Sequence, residues 1–116
     1  MAELVLNADG IKDRAAWTEK GYRLPEYDRD AMAALTKAEP EWVHFGAGNI
    51  FKAFQCRALQ KLLNNGTVRK GVIAVERLKK GEDTHDGLTV AVTLKADGTV
   101  EKDVIGSIAE TCYLYG

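Results

Sequence analysis

One stretch decides the fold of this chain of 116 residues: Trp42-Val43-His44-Phe45-Gly46-Ala47-Gly48-Asn49-Ile50-Phe51-Lys52-Ala53-Phe54. Its apolar start predicts a short buried strand, and the residues from Asn49 onward predict a helix. Gly46 and Gly48 supply the backbone freedom that a sharp strand-to-helix turn requires. Such a turn leaves the N–H groups of the first helical residues free, with the positive end of the helix dipole behind them. A phosphate group can bind there, as in a dinucleotide-binding turn.

The glycine pattern leaves three interpretations open. A dinucleotide fingerprint has a third glycine where this chain has Phe51, and that difference implies a wider separation of helix and strand or another entry angle. A loop that holds S-adenosylmethionine usually follows an acidic residue, whereas His44 and Phe45 precede the glycines here. The third interpretation is a tight turn without a ligand. Of the two ligand-binding interpretations, the pattern favours the dinucleotide one.

A helix and a second strand follow the turn. Asn49 is a good capping residue, and Asn64-Asn65-Gly66 predicts the helix end. Apolar residues four apart predict its inward face, at Ile50, Phe54, Ala58 and Leu62, widened by Phe51, Leu59 and Leu63. Polar residues are predicted to face water, at Lys52, Gln55, Gln60 and Lys61. The apolar run 71–76 predicts a parallel strand buried on both faces, which completes a right-handed βαβ unit.

Glu76 closes that second strand in the predicted fold. A dinucleotide fold places an acidic side chain at this carboxyl end to accept hydrogen bonds from the adenosine ribose hydroxyls. The same carboxylate repels the 2′-phosphate of NADP, so the sequence favours NAD. Arg77, Lys79 and Lys80 follow at once and are the alternative residues for a 2′-phosphate contact. The charge run 79–83 is otherwise typical of a solvated loop.

The segments on either side of the βαβ unit have patterns of their own. Residues 1–40 predict a helical lead-in: one helix capped by Asn7 or Asp9 and ended by Gly21, an extended stretch at 24–27, and a second helix opened by Asp28 or Asp30. The inward side chains of these two helices are predicted to be Ile11, Ala15, Trp17, Ala31, Met32 and Leu35. From Leu88 the apolar period becomes two, and Asp97-Gly98 predicts the turn of a β-hairpin, which is either an insertion or an addition at the edge of the parallel sheet.

Two polar clusters allow both a functional and a structural interpretation. Tyr27, Asp28 and Arg29 form either a binding cluster or a solvated helix start, and the second is favoured. His85 and Asp86 form either an acid/base pair or a polar turn, and the turn is favoured because no third partner is evident.

Composition excludes several classes of function. Sixteen basic and seventeen acidic residues give a formal net charge of −1, so no general basic field is available for nucleic acid or an anionic membrane surface. Cys56 and Cys112 have no metal-ligand spacing and are predicted to be free thiols, with Cys56 a small buried side chain. No signal peptide or membrane span is predicted, so we expect a cytoplasmic protein without a metal site.

The fold predicted from these patterns is α/β: a partial Rossmann-type dinucleotide-binding domain, with one βαβ unit and a β-hairpin (41–116) after a helical N-terminal lead-in (1–40). A complete dinucleotide fold needs further βα units, and only one crossover is predicted here. No set of catalytic residues is evident. We therefore expect residues 1–116 to be a single N-terminal segment of a longer enzyme, without its C-terminal catalytic domain and inactive alone.

The glycine stretch, extended to Gln55, resembles the N-terminal signature of the long-chain polyol dehydrogenases, the family of mannitol dehydrogenases and D-mannonate oxidoreductases (fructuronate reductases). Leu24-Pro25-Glu26-Tyr27-Asp28-Arg29 and the later segments 86–90 and 104–108 resemble flanking parts of the family. In this resemblance the pyrophosphate turn corresponds to Gly46, Gly48, Asn49, Ile50 and Phe51, the basic position after it to Lys52, and the ribose acceptor to Glu76. Phe51 in place of the third glycine agrees with the family pattern.

The resemblance implies the NAD-binding segment of an oxidoreductase that interconverts a sugar acid or polyol with its keto form, D-mannonate and D-fructuronate first among them. It also implies that a mainly helical second domain supplies the catalytic lysine and most sugar-binding residues. The alternative is a self-contained nucleotide-binding or interaction module without catalysis. Because part of a sheet leaves an apolar edge and face uncovered, we further expect self-association of the isolated chain.

Overall fold

The computed structural model describes residues 4–78 and 85–115 as two small β-sheets with helices packed against them. The helices are α1 (Arg14–Glu19), α2 (Arg29–Ala38) and α3 (Cys56–Asn64), with a 3-10 helix at Gly10–Lys12 and a π-helix at Phe51–Gln55 directly before α3. The strands are β1 (Tyr22–Arg23), β2 (Val43–Phe45), β3 (Val72–Leu78), β4 (Thr89–Leu94), β5 (Val100–Ile105) and β6 (Ile108–Tyr115). The parallel sheet has the order β2-β3-β6, and the mixed sheet has the order β1-β5-β4.

The predicted βαβ unit is confirmed. Strands β2 and β3 pair in parallel, with Val43 opposite Ile73 and Phe45 opposite Val75, and the helix between them begins just after the glycines. The expectation of a buried β2 is wrong, however, because Val43 is 46% exposed and Phe45 71% exposed. β2 pairs only with β3 among the described residues, so one edge of this strand has no neighbour to cover it.

Strand β6 extends the parallel sheet beyond the predicted unit. It pairs with β3 in parallel, with Val75 opposite Cys112 and Glu76 opposite Tyr113. The expectation of a single crossover is therefore wrong, since a second parallel connection leads from β3 to β6. That connection contains the hairpin in place of a helix, and α2 from the lead-in packs on β6 and β3 instead. The alternating βα pattern did not predict β6, because the helix that covers this strand precedes the whole sheet in sequence.

The hairpin is confirmed. It is an insertion between β3 and β6, as one of the two predicted alternatives, and not an addition to the edge of the parallel sheet. Strands β4 and β5 pair antiparallel, and Asp97 accepts hydrogen bonds from the N–H and hydroxyl of Thr99 across the turn (2.9 and 2.6 Å). The two strands form the mixed sheet with β1, whose Tyr22 pairs in parallel with Lys102. β1 is only two residues long, too short for an alternating pattern to predict it.

The lead-in helices form where expected. The cap of α2 is the predicted Asp28, whereas α1 is capped by Asp13 in place of Asn7 or Asp9, and the inward faces agree only in part with the prediction. Asp13 caps α1 and Asp28 caps α2, each accepting the backbone N–H three residues later (3.3 and 3.1 Å). Trp17 is buried as predicted, whereas α2 buries Met32 and Thr36 and leaves Ala31 and Leu35 largely exposed. The Thr36 hydroxyl donates to the Met32 carbonyl (2.7 Å) and accepts from the N–H of Gly71 (2.9 Å). These bonds satisfy a buried hydroxyl and tie α2 to the start of β3.

The helix after the glycine turn buries only part of the predicted stripe: Phe51, Leu59 and Leu63 are buried as predicted, but the residues four apart are not. Ile50 is 83% exposed and Phe54 75% exposed, and Ala58 and Leu62 also face outward. The buried residues are Phe51, Cys56, Leu59, Gln60 and Leu63. The cause is the π-helix: its wider turn, with the N–H of Cys56 bonded to the carbonyl of Phe51, brings residues five apart onto one face.

Gln60 was predicted to face water, but it is 5% exposed and satisfies several buried groups. Its Oε1 accepts from the Tyr27 hydroxyl (2.9 Å) and the N–H of Gly106 (2.7 Å), and its Nε2 donates to the Val104 carbonyl (2.7 Å). Burial raises the pKa of the Tyr27 hydroxyl, which therefore stays protonated and donates. One amide thus joins α3 to the lead-in and to the end of β5.

Asp103 on β5 is the other polar centre of the core, with a side chain only 9% exposed. Arg23 on β1 donates hydrogen bonds to both carboxylate oxygens of Asp103 (2.6 and 2.9 Å), and Arg57 on α3 donates to one of them (2.9 Å). Burial opposes ionisation of Asp103, but the hydrogen bonds from the two arginines outweigh it and hold its pKa below the usual value. Glu101 also binds Arg57, at 3.1 Å. The mixed sheet is therefore joined to α3 by ion pairs.

Both cysteines are free thiols, as predicted, and Cys56 is fully buried. Burial raises the pKa of the Cys56 thiol to about 11, so it behaves as a small core side chain. None of the helices formed by the described residues is long and apolar enough to cross a membrane. Among the described residues, no three or more His, Cys, Asp or Glu side chains form a group that could hold a metal ion.

Candidate functional site

The candidate site is the turn that connects β2 to the helix. Gly46 has φ = +109°, a left-handed conformation that only glycine adopts without strain, and its N–H donates to the Val75 carbonyl (2.7 Å). His44 Nδ1 donates to the Gly46 carbonyl (3.0 Å). Gly48 does not need a positive φ, contrary to the expectation that both glycines supply one. A Cβ at Gly48 would meet no atom within 4 Å, so this glycine leaves open space beside the turn.

The helix start presents unpaired backbone donors at this turn. Its first backbone hydrogen bond runs from the N–H of Lys52 to the Gly48 carbonyl (3.1 Å). The N–H groups of Asn49, Ile50 and Phe51 therefore lie before the first complete turn, where an α-helix offers them no acceptor. Together with the positive end of the helix dipole, they form an arrangement that favours an anion.

Phe51 occupies the place of the third fingerprint glycine and points inward. Its ring is 5% exposed and stacks on His44, with centroids 4.0 Å apart and planes 11° apart. Trp42 meets the Phe51 ring edge-on at 6.2 Å. The side chain thus fills the space below the turn, and only the backbone N–H of Phe51 is available to a ligand. Where a third glycine would let helix and strand pack closely, this chain has an aromatic ring and a π-helix.

Glu76 lies beside the turn on the neighbouring strand. Since Phe45 is opposite Val75, the next positions along the two parallel strands are Gly46 and Glu76. The side chain of Glu76 is half-buried, and β3 continues to Leu78, so the expectation that Glu76 ends the strand is wrong by two residues. Arg77 is exposed. Lys79 and Lys80, the alternative contacts for a 2′-phosphate, lie outside the described residues.

The structure thus brings the predicted residues Gly46, Gly48, Asn49, Ile50, Phe51, Lys52 and Glu76 to one end of the parallel sheet. They contribute in different ways. Asn49, Ile50 and Phe51 offer backbone donors, and Gly48 offers space. Lys52 is half-buried, and its positive charge lowers the pKa of Cys56 slightly against the larger effect of burial. Glu76 is the carboxylate of the group.

The two other polar clusters are tethers within the fold. Tyr27 binds Gln60, Asp28 caps α2, and Arg29 donates to the carbonyls of Gly106 (3.1 Å) and Asp86 (2.9 Å). The favoured interpretation of 27–29 as a helix start is confirmed by the Asp28 cap, but Tyr27 and Arg29 are half-buried and bonded within the fold instead of solvated. His85 Nδ1 donates to the Leu6 carbonyl (2.7 Å), and Asp86 accepts from the N–H of Ala8 (2.9 Å). The turn interpretation of 85–86 is thus supported.

The chain is similar in sequence to a D-mannonate oxidoreductase and in fold to two polyol dehydrogenases. The D-mannonate oxidoreductase of Thermotoga maritima is 44% identical over 110 residues, which is 90% of this chain and 20% of that protein. This chain therefore spans about one fifth of the length of its curated relative. No family model matches the chain.

Two solved structures share the fold. The mannitol 2-dehydrogenase of Pseudomonas fluorescens, solved as a ternary complex with NAD and D-mannitol, has a TM-score of 0.64 and 22% identity over 93% of this chain and 21% of its own. A D-sorbitol dehydrogenase in substrate-free form has a TM-score of 0.62 and 21% identity over 80% of this chain and 19% of its own. These comparisons confirm the partial Rossmann-type fold and the resemblance to the polyol dehydrogenases.

Proposed function

We propose, from the confirmed resemblance to the long-chain polyol dehydrogenases, that this chain carries part of the NAD site of an oxidoreductase. The enzyme would interconvert a sugar acid or polyol with its keto form, with D-mannonate and D-fructuronate as the first pair to test. The name of the 44% identical relative, D-mannonate oxidoreductase, supports this choice of substrate. We expect the enzyme in the cytoplasm.

The single observation that carries the proposal is the geometry of the glycine turn. Free N–H groups at the helix start, open space at Gly48 and the carboxylate of Glu76 lie together at one end of the parallel sheet. The N–H groups would hold the pyrophosphate of a dinucleotide, and Glu76 would accept hydrogen bonds from the adenosine ribose. The residues therefore fit a dinucleotide, and the similar mannitol 2-dehydrogenase was solved with NAD.

The residues of this chain would bind and orient the cofactor, whose nicotinamide ring carries a hydride when the cofactor is bound. We infer that 1–116 forms one segment of the dinucleotide-binding domain and that a further domain supplies the proton-transferring and sugar-binding groups. On this proposal, the isolated chain lacks catalytic residues and is inactive. Its role is limited to the adenosine and pyrophosphate parts of the cofactor.

The preference for NAD over NADP would rest on Glu76. A carboxylate beside the ribose repels a 2′-phosphate and accepts hydrogen bonds from the free hydroxyls. In the intact enzyme, Glu76→Ala should weaken NAD binding by about 1–3 kcal/mol, because hydrogen-bonding groups lose their partner. NADP binding should weaken less or improve. The measurement is the ratio of kcat/KM for the two cofactors, with Glu19→Ala as a control at an exposed carboxylate on α1.

A second variant separates the two parts of the proposed site. Gly48→Val would place a branched side chain in the open space at the turn, where no atom lies within 4 Å of a Cβ. It should weaken NAD and NADP alike and leave their ratio unchanged. An unchanged ratio in Glu76→Ala would mean that Glu76 has only a structural role, and Arg77, Lys79 and Lys80 would become the residues to test. Full cofactor affinity in Gly48→Val would contradict the site itself.

The surface next to the turn supports association with further protein. Val43, Phe45, Ile50 and Phe54 are each between 46% and 83% exposed, and β2 has one uncovered edge in the described part of the chain. We propose that isolated copies of the chain self-associate through these side chains, because exposed apolar area and a free strand edge both favour pairing. In the longer enzyme, other segments would cover them.

A further inference from the structure

A cleft between α1, β1 and α3 has a charge pattern that the proposed cofactor site does not use. It encloses about 370 Å³, and none of its lining residues belongs to the glycine turn. Four basic side chains line it: Arg14, Arg23, Arg57 and Lys61. Only two carboxylates, Glu26 and Asp103, lie on the same surface. The cleft is therefore positive although the whole chain carries a formal net charge of −1.

The ion pairs of the fold use only part of this positive charge. Arg23 and Arg57 are held by Asp103 and Glu101, and Glu101 also binds Lys95 outside the cleft (3.2 Å). That network already has three cations for two carboxylates. Arg14 and Lys61 make no ion pair within the described residues, and the Arg14 guanidinium donates only to the Pro25 carbonyl (2.8 Å). Within the described residues, Arg14 and Lys61 thus lie at the cleft without an ion-pair partner, against the single carboxylate of Glu26, which makes no ion pair there either.

Arg57 is fixed in a way suited to binding an anion. Its Nε donates to Asp103 and its Nη2 donates to Glu101, and its side chain is only 21% exposed. The remaining nitrogen, Nη1, has no hydrogen-bond partner in the described structure. A guanidinium held on one side by carboxylates loses little conformational entropy when its free N–H groups bind an oxyanion. Arg57 would therefore supply a rigid contact, and Arg14 and Lys61 would supply flexible ones.

We propose that this cleft binds a phosphate dianion, through Arg14, Arg57 and Lys61, as a second ligand site separate from the glycine turn. A phosphate group offers three strong acceptor oxygens to the donors of these three side chains, whereas a carboxylate offers only two. The volume is at the lower end of the range for small-molecule sites, so a phosphate group on a compact metabolite fits better than a nucleotide. The source is either free phosphate or a phosphate monoester.

The test is a calorimetric titration of the chain with inorganic phosphate at pH 8, with chloride used to keep ionic strength constant. The double variant Arg14→Gln/Lys61→Gln should raise the dissociation constant at least about tenfold. The matched control, Lys37→Gln/Arg69→Gln, removes one lysine and one arginine outside the cleft and should change it less than about twofold. A separate titration with glycerol 3-phosphate distinguishes the two sources, because the preferred one should have the lower dissociation constant.

The backbone amide NMR spectrum locates the bound phosphate. We expect phosphate to shift the amides of 57–64, with the shifts lost in the double variant and retained in Gly48→Val, which alters only the glycine turn. Equal weakening in the control variant would overturn the proposal, as would shifts confined to 48–52 or the absence of saturable binding in the unmodified chain. Failure of NAD binding in Gly48→Val leaves this second site untouched, so the two proposals fail independently.

Discussion

The helix between β2 and β3 has two halves that differ in how the fold uses them. In the front half, residues 49–55, Ile50 and Phe54 are exposed and Phe51 alone is buried. In the back half, α3, Cys56, Leu59, Gln60 and Leu63 are all buried. The back half therefore holds the sheets together, whereas the front half offers backbone donors and apolar side chains to other molecules. The π-helix makes up most of the front half, and its wider turn changes the face that points inward before α3 begins.

The largest effect is expected from a pair of adjacent leucines in the back half. Leu63 is 5% exposed and Leu62 is 40% exposed. Leu63→Ala should lower the free energy of unfolding by about 2–4 kcal/mol, because it leaves a cavity in the core. Leu62→Ala should lower it by less than about 1 kcal/mol. Chemical denaturation measures both. If the two variants lower the free energy of unfolding equally, the side chains at 50, 54, 58 and 62 are packed in the core and the proposed division of the helix is wrong.

A smaller effect is expected where the back half is held by polar contacts. Gln60→Leu keeps the volume but leaves the Tyr27 hydroxyl, the N–H of Gly106 and the Val104 carbonyl without their partner. We expect a loss of about 2–3 kcal/mol in the free energy of unfolding. The control is Gln55→Leu in the front half, since Gln55 makes no side-chain hydrogen bond within the described residues. If both variants are equally stable, the hydrogen bonds of the Gln60 amide do not stabilise the contact of α3 with the lead-in and with the end of β5.

The smallest effect on stability is expected in the front half. Phe54 is 75% exposed, so Phe54→Ser should change the free energy of unfolding by no more than about 0.5 kcal/mol. The same variant should reduce self-association of the chain, as measured by sedimentation velocity over a range of concentrations. Lys61→Ser serves as the control, at an exposed position of the same helix. A monodisperse monomer for the unmodified chain would contradict the proposed role of this surface.

The sequence predicted what depends on local chemistry. Asp97-Gly98 predicted the hairpin turn, and the run from Gly46 to Asn49 predicted a strand-to-helix turn with parallel strands on either side. For the candidate site, the residues at the turn and Glu76 were predicted to converge, and they do lie at one end of the sheet. Both results follow from a short range of sequence, in which backbone preferences dominate.

The errors arise where distant parts of the chain decide the outcome. The stripe at 50, 54, 58 and 62 has good helical spacing, and the π-helix, which the sequence did not predict, turns it outward while Phe51 and Cys56 are buried as predicted. No local pattern in the sequence predicts β1, because its two residues form a strand only by pairing with β5. The phosphate cleft has no motif, since Arg14, Arg57 and Lys61 come from two helices far apart in sequence.

The parallel pairing of β1 with β5 also constrains the order in which the chain folds. Tyr22 pairs with Lys102, and the ion pair between Arg23 and Asp103 closes a loop of the same length. Contacts of such high contact order form slowly, because the entropy of loop closure must be lost before they stabilise the fold. During synthesis, α2 and β1 emerge from the ribosome long before β5 and β6. The contacts of the lead-in with β5 and β6 can therefore form only after residues 100–115 have been made.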